Sequence, residues 1–295
     1  MRLKEKITVE NNYSGSNWNF EKTTKYIFEI DGTEIEAGYF EHYRDDVFIK
    51  SVVELPQSYG CPTKCRFCAS AAINDFILLD DKTLKEIFLY LYIDNQLAAQ
   101  KYVLLTMTGM GDIFFNFENV KGFISKVQQY KNLSLTLSSC LWNKELLRKA
   151  EELGSMISIR NIQITYVTDK REQLMKAIPF YQSHKYNLQE IVQHIKDSDQ
   201  KYYRINYIMI KGVNDGAENF YRFGKNLKEI SDKVTVRISK LNETGATRRN
   251  NLFPTDVDDL QKLQGILQEA DIKSYVFFAH KNDNMNCGQL ITERE

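Results

Sequence analysis

No stretch of this chain approaches the run of about 18 uncharged apolar residues that a membrane-spanning helix needs. The N-terminus, Met1-Arg-Leu-Lys-Glu-Lys6, does not open into the apolar segment of a secretory signal. The expected setting is therefore the cytoplasm, without membrane contact. An excess of charge is also missing: 39 Lys and Arg stand against 39 Asp and Glu. That balance removes the electrostatic argument for a nucleic-acid partner, because phosphate binding draws on surplus cations. Neither an internal repeat nor a low-complexity linker is visible. With 43% hydrophobic and 26% charged residues, the 295-residue chain is not disordered, collagen-like or a membrane bundle. Its length suits one large α/β core or two small domains. An even set of cysteines is lacking too. There are five, Cys61, Cys65, Cys68, Cys140 and Cys287, and three of them fall within eight residues. An odd, clustered set in a chain of this length is not the disulfide framework of a small secreted domain.

What is present falls into two parts. Residues 1–50 read as a β-rich segment. Tyr26, Phe28 and Ile30 alternate, Asp31-Gly32 follows, and Thr33 to Phe40 alternates again; Asp-Gly between alternating runs is a two-residue hairpin signal. Val47 to Leu55 reads as a further strand. From residue 51 to 295 strands and helices alternate. Leu84, Ile87, Phe88 and Leu91 mark one helix face. Strand signals at Leu55, Tyr102, Leu133, Ile162, Tyr203 and Val234 are separated by helical patterns at Val120–Tyr130, Lys144–Leu153, Leu188–Ile195 and Glu218–Ile230. A last helix is expected near Thr255 as N-cap, with Val257, Leu260, Leu263 and Leu267 on one face. About six βα units predict a parallel sheet curled into a partial barrel. A flat doubly wound sheet has the same alternation, and periodicity leaves it open. The polar stretch 242–251 reads as a loop.

Cys61-Pro-Thr-Lys-Cys65-Arg-Phe-Cys68 follows the first of these strands. Three thiolates on one short loop can bind three irons of a [4Fe–4S] cluster and leave the fourth iron open to a small molecule. Structural zinc wants four ligands, commonly as two separated pairs. Here His42 is 19 residues upstream of Cys61, and His184, His194 and His280 are remote. On spacing alone a cluster, a zinc site and incidental thiols all stay open.

The triplet, with Phe67 before its last cysteine, resembles the radical S-adenosylmethionine (SAM) superfamily. Further stretches resemble its RlmN/Cfr-type adenine methyltransferases, which act on ribosomal RNA. These are Thr108-Gly-Met-Gly-Asp112 with Asn116 and Asn119, Thr136-Leu-Ser-Ser139, Arg171-Glu-Gln-Leu-Met175, Tyr207-Ile-Met-Ile-Lys-Gly-Val-Asn-Asp215, Leu241-Asn242 and Cys287-Gly-Gln-Leu290. They run in order from about Ile35 to Leu290. The resemblance implies a partial (β/α)6 TIM-like barrel, a [4Fe–4S] cluster on Cys61, Cys65 and Cys68, and SAM chelated at the open iron. It also implies SAM contacts from Phe67, Gly111, Asp112 (for the ammonium), Ser138, Thr165 and Asn242, with Gly109 allowing close approach. Cys287 would carry a methyl group taken from one SAM while a second SAM is cleaved to a radical. An electron donor such as flavodoxin or ferredoxin and an RNA adenine substrate are implied as partners.

The sequence departs from that pattern in two places. About fifty residues precede the cluster loop and read as strands, where the family usually carries a helical RNA-binding extension. The family's second cysteine, which resolves the enzyme–RNA crosslink through a disulfide, is replaced by Glu54, a residue able to act only as a general base. Cys140 is then the one remaining thiol that could substitute. Two other readings follow: a radical SAM enzyme acting on a peptide or small molecule, and a non-enzymatic metal-binding module.

Overall fold

The computed structural model describes residues 1–12, 18–184, 187–277, 285–286 and 288–292. Four strands come first: β1 (Arg2–Asn12), β2 (Phe20–Ile30), β3 (Thr33–Arg44) and β4 (Val47–Glu54). They pair antiparallel in sequence order. The first tight turn is Asp31-Gly32, where both residues have positive φ (49° and 78°). The second, Asp45-Asp46, has the same left-handed pair (49° and 62°) without a glycine. There Asn19 offsets the strain, accepting from the Asp45 amide at 3.0 Å and donating to its carboxylate at 2.8 Å.

A two-strand ribbon, β5 (Ser58–Tyr59) and β6 (Ile77–Leu78), brackets the cysteine loop. The remaining strands are β7 (Val103–Met107), β8 (Leu133–Ser139), β9 (Ser158–Tyr166), β10 (Tyr203–Met209), β11 (Val234–Lys240) and β12 (Ser274–Phe277). Each pairs parallel to the one before it, and β7 pairs parallel to β4, giving a ten-stranded sheet in the order β1-β2-β3-β4-β7-β8-β9-β10-β11-β12. The antiparallel strands of residues 1–50 are thus one side of the same sheet, and β4 spans the point where the pattern changes.

Helices α1 (Asp81–Asp94), α2 (Ile113–Val127), α3 (Lys144–Glu152), α4 (Arg171–Ala177), α5 (Leu188–Asp197), α6 (Ala217–Leu227), α7 (Gly245–Arg249) and α8 (Val257–Glu269) connect the strands. Leu84, Ile87, Phe88 and Leu91 are fully buried in the core, with Val53, Leu105, Leu135, Ile162, Ile205 and Val236 from the sheet. The alternate strand positions are polar: Glu54, Ser138, Gln163, Thr165, Asn206, Arg237 and Ser239 all line one cavity. A doubly wound sheet, with helices on both faces, needs two apolar faces. This sheet has one, so it curls its polar face around a cavity, as a partial TIM-like barrel does.

Three expectations are corrected. The helix expected from Val120 starts at Ile113, because Asp112 caps it and accepts from the Phe114 amide at 2.9 Å. Thr255 is not the cap of α8; Asp256 holds that position, without a side-chain capping bond. The stretch read as a loop contains α7, closed by a capping box between Thr244 and Thr247.

Candidate active site at the strand ends

The cysteine loop leaves β4 and returns over the carboxyl ends of the parallel strands, where such sheets place ligands. Lys64, in a left-handed conformation, ties the loop down by donating to the carbonyls of Ala71 (3.1 Å) and Ile73 (2.6 Å). Cys61 and Cys65 are buried, and the Thr63 hydroxyl sits 3.1 and 3.3 Å from their sulfurs. Cys68 is half-buried at the start of a helical turn. All three thiols, with Phe67, Gly111, Asp112, Ser138, Thr165, Asn242 and Glu54, line a single cavity of about 1250 Å³ counted out to its open mouth. The structure therefore brings together the described residues read as cluster and SAM contacts, with Glu54, while Asn116, Asn119 and Arg171 do not line the cavity. Cys287 lies outside the described residues. Its neighbours Asn286 and Gly288 line the same cavity, and the Gly288 carbonyl accepts from the Ala69 amide at 2.7 Å, beside the cysteine loop.

Gly111 turns at φ +97°, and a Cβ there would fall 2.3 Å from the Ser58 hydroxyl, so the turn carrying Asp112 admits only glycine. Ser138 accepts from the Gln163 amide nitrogen at 3.1 Å, fixing its hydroxyl in the cavity wall that Thr165 also lines. Phe67 packs on the apolar cluster that includes Cys65, Leu141 and Leu241.

Asp112 has partners the sequence did not suggest. One carboxylate oxygen accepts from the Phe114 amide (2.9 Å) and the Ser139 hydroxyl (2.6 Å); the other accepts from the Cys140 amide at 3.0 Å. Burial pushes its carboxyl group above the usual range, and these donors pull it back. The group expected to meet an ammonium also ties the start of α2 to the end of β8. Asp112→Ala should cost about 2 kcal/mol or more, the sum of a lost cap and buried donors left unpaired. Urea denaturation measures it; unchanged stability with weakened SAM binding would restore the ammonium reading.

Glu54 is not a lone carboxylate. Its oxygens accept from the Lys25 ammonium (3.2 Å) and the Thr108 hydroxyl (2.9 Å). The Lys25 side chain is 4% exposed and that of Glu54 10%. Register explains the pair: Lys25 lies opposite Gly38 on β3, and Gly38 opposite Glu54 on β4. A Cβ at Gly38 would crowd the Phe40 ring at 2.9 Å and the Glu54 Cβ at 3.3 Å, so glycine leaves the lane across which Lys25 reaches. Sequence reasoning missed Lys25. Its signal was the polar series Glu21, Thr23, Lys25 interleaved with Tyr26 and Phe28.

Glu36 was missed as well. It is 2% exposed in the cavity wall, with one oxygen accepting from the amide (2.7 Å) and hydroxyl (2.8 Å) of Thr292. Its other oxygen is buried without a hydrogen bond among the described residues. Cys140 sits 3.8 Å from the Cys65 sulfur and 3.5 Å from the Asp112 carboxylate, against the cysteine loop.

No profile of a known protein family matches the chain. Individual relatives do. It is 28% identical over 282 residues to a probable dual-specificity RNA methyltransferase RlmN of Pseudothermotoga lettingae, covering 92% of this chain and 76% of the relative. A counterpart from Aquifex aeolicus is 26% identical over 289 residues, with the same coverage. In fold, the chain superposes on a radical SAM methyltransferase from Sphaerobacter thermophilus with a TM-score of 0.73 at 17% identity, over 97% of this chain and 81% of the other. Streptococcus suis SuiB bound to S-adenosylmethionine gives 0.55 at 18% identity, over 78% and 51%. The named relatives point to an enzyme of the methyltransferase type. Over most of its length the chain is similar to the RlmN family.

Enzymes of this family use a [4Fe–4S] cluster and SAM. The residues present fit such a group. Three thiols on one loop wall the same cavity, and each could ligate one iron. Burial pushes the Cys61 thiol up, so its ligating thiolate form has to be drawn out by bound iron.

Proposed function

We propose that this chain is an RNA methyltransferase acting on adenine, with Cys61, Cys65 and Cys68 as cluster ligands, Phe67, Gly111, Ser138, Thr165 and Asn242 as the SAM-facing wall, and Cys287 as methyl carrier. The observation that carries this reading is the shared cavity: cluster loop, SAM-facing strand ends and the neighbours of Cys287 all face it. When bound, the cluster and SAM supply reductive opening of a sulfonium C–S bond. The protein's own part is to place and to shield. Thr63 orients two of the sulfurs, Gly111 lets backbone approach the ligand, and the Gln163–Ser138 bond presents hydroxyls at the strand ends. Asp112 positions these elements. A flavodoxin or ferredoxin in the cytoplasm is the proposed reductant.

The test is anaerobic reconstitution with SAM, a reductant and ribosomal or transfer RNA, with nucleosides read by mass spectrometry. An RNA adenine joined through a methylene carbon to Cys287, or methyladenine released from it, that disappears in Cys287→Ala supports the reading. Abundant 5′-deoxyadenosine with no RNA product would move the substrate to a peptide or small molecule. The Lys25–Glu54 pair is the observation that favours this second reading, since it fills the place of the family's resolving thiol.

A further inference from the structure

Cys140 is a thiol that the proposed reaction leaves unused. It follows the last residue of β8 and lines the cavity beside the cysteine loop. Its backbone is fixed from two directions: the amide donates to the Asp112 carboxylate at 3.0 Å, and the carbonyl accepts from the Tyr181 hydroxyl at 2.6 Å. Cys65 is fixed from the loop. Its carbonyl accepts from the Cys68 amide at 3.1 Å, and the amide of the next residue, Arg66, donates to the Ala177 carbonyl at 2.9 Å, at the end of α4. Cys65 belongs to a buried apolar cluster with Leu141, Leu174, Ala177, Ile178 and Tyr181, and Cys140 packs against it. Two separate elements therefore hold the two sulfurs in contact, 3.8 Å apart.

That placement has a redox consequence. Sulfurs already in contact have only to close to about 2.05 Å to form a disulfide. Between Cys61 and Cys65, by contrast, the Thr63 hydroxyl intervenes, 3.1 and 3.3 Å from their sulfurs. Cys65 and Cys140 both line a cavity with an open mouth, so a small oxidant reaches them.

We propose that Cys65 and Cys140 form a disulfide site, closed by hydrogen peroxide whenever the loop carries no iron and reopened by thiols. Peroxide oxidises one thiol to a sulfenic acid as its O–O bond breaks and one water leaves. The second thiol attacks that sulfur; the S–S bond forms, the S–O bond breaks, and the hydroxide departs with the thiol proton as a second water. Two thiols lose two electrons in all, and one peroxide becomes two waters. A partner in contact intercepts the sulfenic acid before further peroxide carries it to sulfinic acid, which thiols do not reduce. A dithiol reverses the bond by exchange and is itself oxidised to a disulfide. The site thus preserves Cys65 and holds the loop closed to iron until it is reduced. The effect on iron uptake rests on the ligand assignment proposed above; the pairing itself does not.

Holoprotein purified anaerobically is exposed to hydrogen peroxide until its iron is released. The remaining thiols are alkylated, and the chain is digested without reductant for mass spectrometry. Cys65 and Cys140 should be recovered mainly as one linked peptide pair, lighter than the two free thiols by two hydrogens. Dithiothreitol followed by iron and sulfide should return most of the iron; without dithiothreitol, uptake should fall to about a tenth or less. Cys140→Ser, and independently Cys140→Ala, should yield Cys65 as sulfinic acid after the same challenge, so that dithiothreitol no longer returns the iron. Linkage of Cys65 to any other cysteine, no linkage of Cys65, or full recovery of iron in both Cys140 variants overturns the proposal. Protein that purifies without iron would count against the ligand assignment alone; the peroxide challenge and peptide map on that protein still decide the pairing.

Discussion

Alanine at Cys61, Cys65 or Cys68 should leave a colourless protein that cleaves no SAM, a loss to background that no other single substitution in the chain is expected to match. Cys61 and Cys65 are buried on either side of Thr63, and Cys68 stands at the start of the following turn. Removing one deletes a full ligand from the set of three and leaves a second iron open. Iron content and 5′-deoxyadenosine formation under reducing, anaerobic conditions measure the effect. Cys140→Ala is the informative control. Its sulfur is 3.8 Å from that of Cys65, close enough for the two thiols to touch, yet it sits at the end of β8 with its amide held by Asp112. If Cys140→Ala keeps iron and SAM cleavage, the loop triplet is the whole ligand set. If it bleaches the protein as the triplet variants do, Cys140 is a ligand and the open-iron reading falls. Wild-type protein that holds stoichiometric zinc after anaerobic purification would remove radical chemistry altogether.

Much of this site was legible because its residues fall in local motifs. The cysteine triplet, Gly109 to Asp112 and Leu241-Asn242 each occupy a few consecutive positions, and the strand–helix alternation puts them at one end of a sheet. Polar contacts made across the sheet were not legible. Lys25 meets Glu54 only because two hairpins place β2, β3 and β4 in one register with a glycine between the partners. The second of those hairpins turns on Asp45-Asp46, which lacks the glycine that advertises such a turn. Asp112 was read as a ligand group and its capping bonds went unread; a single acidic residue before an apolar helical run is compatible with both.

Glu54→Cys tests what the buried ion pair does, and its consequences for stability and turnover separate cleanly. Replacing the carboxylate alone removes the anion that Lys25 ion-pairs in the interior, which should destabilise the fold by about 3–5 kcal/mol. Lys25→Met on its own should cost a similar amount, by stranding the carboxylate. The double variant Lys25→Met/Glu54→Cys should recover most of that loss, because the two residues form one unit and their effects are not additive. Chemical denaturation of the four proteins gives the coupling directly. For turnover, the resembled family uses a thiol at this place to attack the sulfur of the methyl-carrying cysteine. That step forms a disulfide, breaks the sulfur–carbon bond to the substrate and lets the released carbon take a proton; an added thiol then reduces the disulfide. A carboxylate cannot form that disulfide. On the RNA-methylation reading, wild-type protein should therefore stop after one event per chain, as a covalent adduct on Cys287. The double variant, supplied with dithiothreitol, should release methylated product many times over. Product per chain and the mass of the Cys287 peptide decide the matter. Wild-type protein that turns over repeatedly without an adduct would show that Lys25 and Glu54 serve a different substrate, with no crosslink to resolve.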